Sequence, residues 1–273
     1  MKLDLAKKGI RVPHHVLIDK EELRKDKEAY ADMLKAKIGL PMFCKLISGS
    51  CSVGGANART DEELKSALEM IAESEKPYEI EEYIEGEIFH CDYLIIKDQI
   101  KAISVYKNPF PPAETLEGKP FSVLLVPRTD PLYKKTLSYI KGLSKALAPA
   151  HNMSANVELF NTKDGLVLLE VNYRRTGNKG LYGNYMSFGY NAESISIDLQ
   201  WATPVWVHKD DLETDYEEYT ATLEYPCFEG KVVRKRELPK ELTSQVRIDW
   251  LLRMGMCLNR LLRWLFLQQT CSY

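Results

Sequence analysis

The sequence predicts an α+β fold. Strand-like apolar runs and amphipathic helical runs alternate irregularly along the chain. Two pairs of runs are joined by short turns that suit antiparallel hairpins, one around Lys97-Asp98 and one at Lys163-Asp164-Gly165. No succession of strand–helix–strand units is present, so a doubly wound parallel sheet is not expected. Among 273 residues, 45% are hydrophobic and 28% charged, which excludes disorder, collagen and coiled coil. The 37 Lys and Arg against 39 Asp and Glu leave a net charge of -2, so no global attraction for nucleic acid is expected.

The elements read in order as follows. Leu3 to Lys8 is a helix end with Gly9 past it, and Ile10 to Ile18 is extended through Val12-Pro13. Glu21 to Ile38 is one charged amphipathic helix, and Met42 to Ile47 a short apolar strand. Small residues from Ser48 to Ala56 form a loop. Thr60 and Glu63 make a capping box for a helix running to about Ser74. Tyr78 to Ile84 is a strand; Ile88 to Ile96 and Gln99 to Tyr106 are a hairpin; Asn108 to Pro120 is a Pro-rich loop. Asp130 to Leu147 is a helix, and Ala155 to Phe160 pairs with Leu166 to Asn172. Gly177 to Gly189 reads as an ordered loop and Ala192 to Trp201 as a helix.

Six cysteines, at 44, 51, 91, 227, 257 and 271, include no CxxC pair and no zinc-finger spacing, so they read as free thiols of a reducing, cytoplasmic compartment. The N-terminal residues hold no apolar signal-peptide core, and no uncharged run reaches the ~18 residues needed to span a bilayer.

Three constellations carry chemistry. In the second hairpin, Glu170 and Asn172 alternate onto one strand face, and Glu158 lies on the partner strand. Two carboxylates and an amide oxygen suit Mg²⁺, which takes a few protein oxygens and leaves the rest to phosphate and water. Arg174, two further on, adds a cation to that face if the strand stays regular. For the two carboxylates alone, a solvated hairpin face is the more common meaning. Lys45, in an apolar strand, needs an anion to offset its desolvation. The loop behind it offers backbone N–H groups to phosphate, although no Walker A motif closes it. Finally, the acidic run Glu79-Ile80-Glu81-Glu82-Tyr83-Ile84-Glu85-Gly86-Glu87 can accept hydrogen bonds from an adenine amine or ribose hydroxyls; alone, it reads as a charged turn.

In this order, the three resemble the ATP-grasp superfamily, from about residue 3 to about residue 200. The branch is similar to carboxylate–amine ligases, with biotin carboxylase, D-alanine–D-alanine ligase and the L-amino-acid ligases as relatives. Glu158 and Glu170 are 12 apart, the spacing seen in biotin carboxylase. The resemblance implies two α+β subdomains clasping ATP between antiparallel sheets. It gives Lys45 to adenine N7 and the α-phosphate, and Ser52, Val53 and Gly54 to a lid over the β- and γ-phosphates. Glu81 is implied as acceptor of the adenine amine, Glu82 and Ile84 as hinge backbone positions, and Glu87 as the ribose carboxylate. Glu158, Glu170 and Asn172 are implied to hold two Mg²⁺ ions, with Mn²⁺ as a substitute, and Arg174 to steady the acyl phosphate. The implied substrates are ATP, a small carboxylic acid and an amine, with no nucleic acid and no transmembrane segment. A nucleotide-binding pseudoenzyme or regulatory fragment is the alternative.

On this resemblance the chain divides into leading helices at 1–38, a lid subdomain at 39–84, a metal and catalytic subdomain at 85–204, a β-rich closing element at 205–245 and a divergent end at 246–273. Leu3 to Pro13 matches the step after the superfamily's first ATP-binding lysine, so that lysine and the domain before it are expected to be missing. Tyr173 replaces the usual Pro or Thr after the metal asparagine, and Arg175-Thr176-Gly177 follows the usual Gly-rich continuation only loosely. Val246 to Leu267, apolar with Arg253, Arg260 and Arg263, reads as a helix: packed on the domain, lying on a membrane surface, contacting a partner or a second copy, or belonging to an aberrant end.

Overall fold

The structure is a computed structural model. It describes residues 1–48, 54–96, 98–110, 119–147, 152–174, 220–225, 230–231, 240, 246–249, 257–258 and 267–272. The chain divides into two compact units. One comprises Arg11–Gly86 and Thr162–Val167; the other comprises Met1–Ile10, Glu87–Asn161 and Leu168–Tyr273.

In the unit built on Arg11–Gly86, β1 (His15–Leu17), β2 (Met42–Leu46), β3 (Ala56–Ala58) and β4 (Tyr78–Glu82) form a sheet of order β1-β4-β2-β3, antiparallel throughout. Helices α2 (Lys20–Lys25), α3 (Lys27–Lys37) and α4 (Asp61–Glu73) belong to it; α1 (Lys2–Lys7) belongs to the other unit. Leu64, Ala67, Leu68 and Ile71 make the buried stripe of α4. They join Leu23, Tyr30 and Leu34 from α2 and α3 and Met42, Cys44, Tyr78 and Ile80 from the sheet in one core. Strand alternation leaves Phe43, Lys45, Glu79 and Glu81 on the opposite face, where His15 and Leu17 stand in register with Glu81 and Glu79.

The single helix expected from Glu21 to Ile38 is two helices. Asp26 has an extended backbone (φ -153°, ψ 97°), and its carboxylate accepts from the N–H of Ala29, so it caps α3 instead of continuing α2. The capping box is also altered. Thr60 Oγ1 accepts from the N–H of Glu63, whereas the Glu63 carboxylate accepts from the N–H of Arg59, one residue before the cap.

The other unit holds an eight-stranded sheet built from β5 (Glu87–Ile96), β6 (Gln99–Lys107), β7 (Phe121–Leu125), β8 (Met153–Thr162), β9 (Gly165–Asn172), β10 (Thr220–Tyr225), β12 (Val246–Asp249) and β14 (Leu267–Ser272). Their order in the sheet is β12-β14-β10-β7-β6-β5-β8-β9. Strands β11 (Gly230–Lys231) and β13 (Cys257–Leu258) pair separately. Helix α5 (Pro131–Leu147) buries Leu132, Thr136, Ile140 and Leu143, and Asp130 at its start binds Lys107 at the end of β6, 3.2 Å away. Phe89, Cys91, Val105, Val157 and Leu159 share Lys107's face of the sheet and are buried.

Strand β7 is not legible in the sequence. It follows Pro120, is five residues long, and pairs over its whole length with the distant β10 but over only two residues with β6. The helix expected over Val246 to Leu267 is contradicted at its described positions, which are strand. Val246, Arg247, Ile248 and Asp249 alternate apolar and charged, and β14 lies between β12 and β10. Long-range pairing, not local helical spacing, sets this segment. The loop expected at 177–189 and the helix expected at 192–201 lie outside the described residues. Among the described residues, no helix is long and apolar enough to cross a membrane.

Candidate active site

In the Arg11–Gly86 unit, the polar sheet face carries a compact ion cluster. Lys45 Nζ lies 2.9 Å from Glu81 Oε2 and 3.4 Å from Glu79 Oε1. The cause is register: Lys45 stands opposite Glu79, and Glu81 is two residues further along β4 on the same face. All three are largely buried, with side-chain exposures of 21%, 11% and 3% for Lys45, Glu79 and Glu81. A buried ammonium thus sits beside buried acceptors, which answers the desolvation cost that the sequence raises for Lys45.

Glu82 is turned to another task. Arg11 Nη2 donates to both of its carboxylate oxygens, at 2.6 and 2.7 Å, and the N–H of His14 donates to Oε2 at 3.1 Å. Burial pushes the Glu82 carboxyl up, but these bonds outweigh it and hold the group below its usual range. The backbone N–H of Glu82 donates to His14 O, and that of Tyr83 to Pro41 O, so the strand end carrying Glu82 and Ile84 is fixed on both sides. Gly54 has φ +75°, and a Cβ there would meet Leu46 Cδ1 at 3.2 Å and Tyr78 OH at 3.3 Å. Both conformation and space therefore call for glycine. Ser52 and Val53 lie outside the described residues.

In the other unit, Glu170 and Asn172 are brought together: Asn172 Nδ2 donates to Glu170 Oε1 at 2.6 Å. The bond aligns the two side chains and leaves oxygen donors on both, a hard donor set that fits Mg²⁺. Glu158 stands on β8 directly opposite His90 of β5. Among the described residues, no group of three or more His, Cys, Asp or Glu stands close enough to hold a metal. Glu87 is exposed at the start of β5. Arg174 departs from the expected alternation. Its N–H donates to Asn172 O at 2.7 Å, closing a three-residue turn over Tyr173, so the regular strand ends at Asn172.

The sequence reading missed the polar layer beside Glu158. His90 stacks on Tyr106 with ring centroids 4.9 Å apart, and its Nδ1 lies 3.4 Å from Asn108 Oδ1. Its Nε2 is buried with no hydrogen-bond partner. Burial lowers the His90 pKa, opposed in part by Asp92 and by the bond to Asn108. Asn156 Nδ2 donates to Asp92 Oδ1 at 2.9 Å. The signal was the alternation His90-Cys91-Asp92 within an otherwise apolar strand.

Residues 5–108 match the family described as D-ala D-ala ligase C-terminus. The chain is 28% identical over 157 residues to a D-alanine–D-alanine ligase of Acetivibrio thermocellus, covering 58% of this chain and 37% of that protein. Its fold is that of the L-amino acid ligase from Bacillus licheniformis, with TM-score 0.69 and 17% identity over 99% of this chain and 65% of that one. The chain has the ATP-grasp fold. It is also similar in fold to the biotin carboxylase domain of the Hydrogenobacter thermophilus 2-oxoglutarate carboxylase, solved with MgADP, ADP and bicarbonate, with TM-score 0.62, 15% identity and coverage of 100% of this chain and 60% of that one. It spans 37% and 48% of the lengths of two D-alanine–D-alanine ligases that it matches.

Proposed function

We propose that the chain binds ATP with Mg²⁺ and joins a carboxylic acid to an amine: the carboxylate takes the γ-phosphoryl group to give an acyl phosphate, and the amine displaces phosphate, leaving an amide, ADP and phosphate. The observation that carries this is the Lys45–Glu81 pair. The N7 edge of adenine presents an acceptor beside an amine donor, whereas guanine presents two acceptors. An ammonium donor and a carboxylate acceptor 2.9 Å apart complement the first pattern and repel the second. The fold, the family-model match and the ligase relatives support the same nucleotide.

On this reading Lys45 also reaches the α-phosphate, Glu82 and Ile84 offer backbone groups to the base, and Glu87 accepts from the ribose hydroxyls. Ser52, Val53 and Gly54 cover the outer phosphates. Glu158, Glu170 and Asn172 hold the Mg²⁺, which when bound offsets charge on the γ-phosphoryl group. Arg174 offers a permanent, planar cation to the acyl phosphate. Positioning and charge stabilisation suffice, so no nucleophilic side chain is required.

The turn at Tyr173, which takes Arg174 out of the strand alternation, favours a second reading in which nucleotide is bound without ligation. Calorimetric titration and ADP release separate the two. The chain is expected to bind Mg·ATP, with GTP at least about tenfold weaker. Glu170→Gln is expected to weaken Mg·ATP at least about tenfold. Unchanged affinity in that variant would remove the metal assignment. ADP release that rises with an acid–amine pair supports the ligase; binding with no release across a broad panel supports the second reading.

A further inference from the structure

Two carboxylates, not one, hold Lys45. Glu81 suffices as an acceptor for the adenine amine, and the reading above gives Glu79 nothing to do. Yet Glu79 Oε1 stands 3.4 Å from the ammonium, on the strand position directly opposite it, and is as enclosed as its neighbours. A phosphate that needs Lys45 must compete with Glu79 for the same charge, and must approach a fixed negative charge in a poorly screened setting. An adenine ring carries no such charge and meets no such penalty.

We propose that Glu79 is a specificity-determining brake on phosphate binding: it competes with the α-phosphate for the Lys45 ammonium, so that Lys45 reaches that phosphate less strongly than an unpaired lysine would, while its service to the base is unaffected. This rests on the ATP reading above. The consequence is a site in which the base supplies selectivity while the phosphates are held loosely. ADP, which keeps the α-phosphate, then leaves more readily than it would from a site with a free lysine.

The test compares ATP with adenosine on the full chain. Glu79→Gln keeps the shape and removes the charge. It is expected to tighten ATP by roughly three- to tenfold, the scale of one partly screened charge contact, and to leave adenosine affinity unchanged. Glu79→Leu should shift ATP in the same direction and serves where the glutamine variant does not melt cooperatively. The gain should vanish in a Lys45→Met background, because the two residues act through one contact. If Glu79 merely holds Lys45 in position, both ligands weaken together, and the proposal is overturned. It is equally overturned if ATP affinity is unchanged. Should the unaltered chain bind neither ATP nor adenosine, the ATP reading fails and this inference fails with it.

Discussion

Cys44 lies between Phe43 and Lys45 but points to the opposite side of β2, into the helices, with no exposed surface. Burial pushes its thiol up to about 12. Cys91 is as buried, and burial, together with the charge of Asp92, raises its thiol well above the usual range. Thiolate is the reactive form, so both should resist iodoacetamide at about pH 8 and react once the chain is unfolded. Peptide mass mapping decides it: labelling of either cysteine in the folded chain at the rate of a free thiol contradicts its place in the core. His90 carries the opposite kind of shift. Its folded pKa is lowered by burial, so the unfolded chain binds the proton more tightly. The stability due to neutral His90 is full above the unfolded value, about 6.5, and is lost as pH falls below it. Melting temperature should therefore drop between about pH 7.5 and pH 5.5, and His90→Gln should flatten that drop. An equal slope in the variant would assign the effect to other groups.

At the scale of elements, Asp26 decides whether residues 20–37 are one helix or two. Its carboxylate accepts from Ala29 N–H at 3.0 Å, and its own N–H still donates to Glu22 O at 3.4 Å. Asp26→Ala removes the cap and should cost about 1 kcal/mol in urea unfolding, whereas Asp26→Asn should cost much less. Equal loss in both would mean the bend is set by packing rather than by the cap. This break shows what the sequence could and could not yield. The helical spacing of Leu23, Tyr30 and Leu34 was legible, because one buried stripe leaves a period. The break was not, because a capping aspartate differs from a solvated one only by its partners. The same holds for the site. Lys45, Glu81, Glu170 and Asn172 could be read from alternation and motif order, and the structure pairs Lys45 with Glu81 and Glu170 with Asn172. The second carboxylate on Lys45, the Arg11 grip on Glu82 and the turn that redirects Arg174 depend on cross-strand register and backbone bonds. A sequence encodes those only through the whole fold.

At the scale of the whole molecule, the eight-stranded sheet shows how a distant segment closes an early one. Strand β10 is paired on one side with β7 and on the other with β14, over six residues from Thr220–Ser272 to Tyr225–Leu267. Removing residues 246–273 would take away β12 and β14 together and leave β10 as an edge with unpaired backbone groups, a template for other chains. The lost ladder should cost on the order of 3 kcal/mol. That lowers the melting temperature by roughly 6–12 °C for a domain of this size and raises aggregation with concentration. A helix lying on a membrane surface predicts the reverse pattern: the trimmed chain melts as before, and only binding to anionic vesicles is lost. Thermal melts and vesicle pelleting on the full and trimmed chains therefore separate the two. A trimmed chain with an unchanged melting temperature and no added aggregation would mean that β14 does not close the sheet in solution. If the trimmed chain melts lower, a lysine at Leu223, in the middle of the bared β10, should suppress its aggregation without restoring the melt, because charge blocks edge pairing but supplies no ladder.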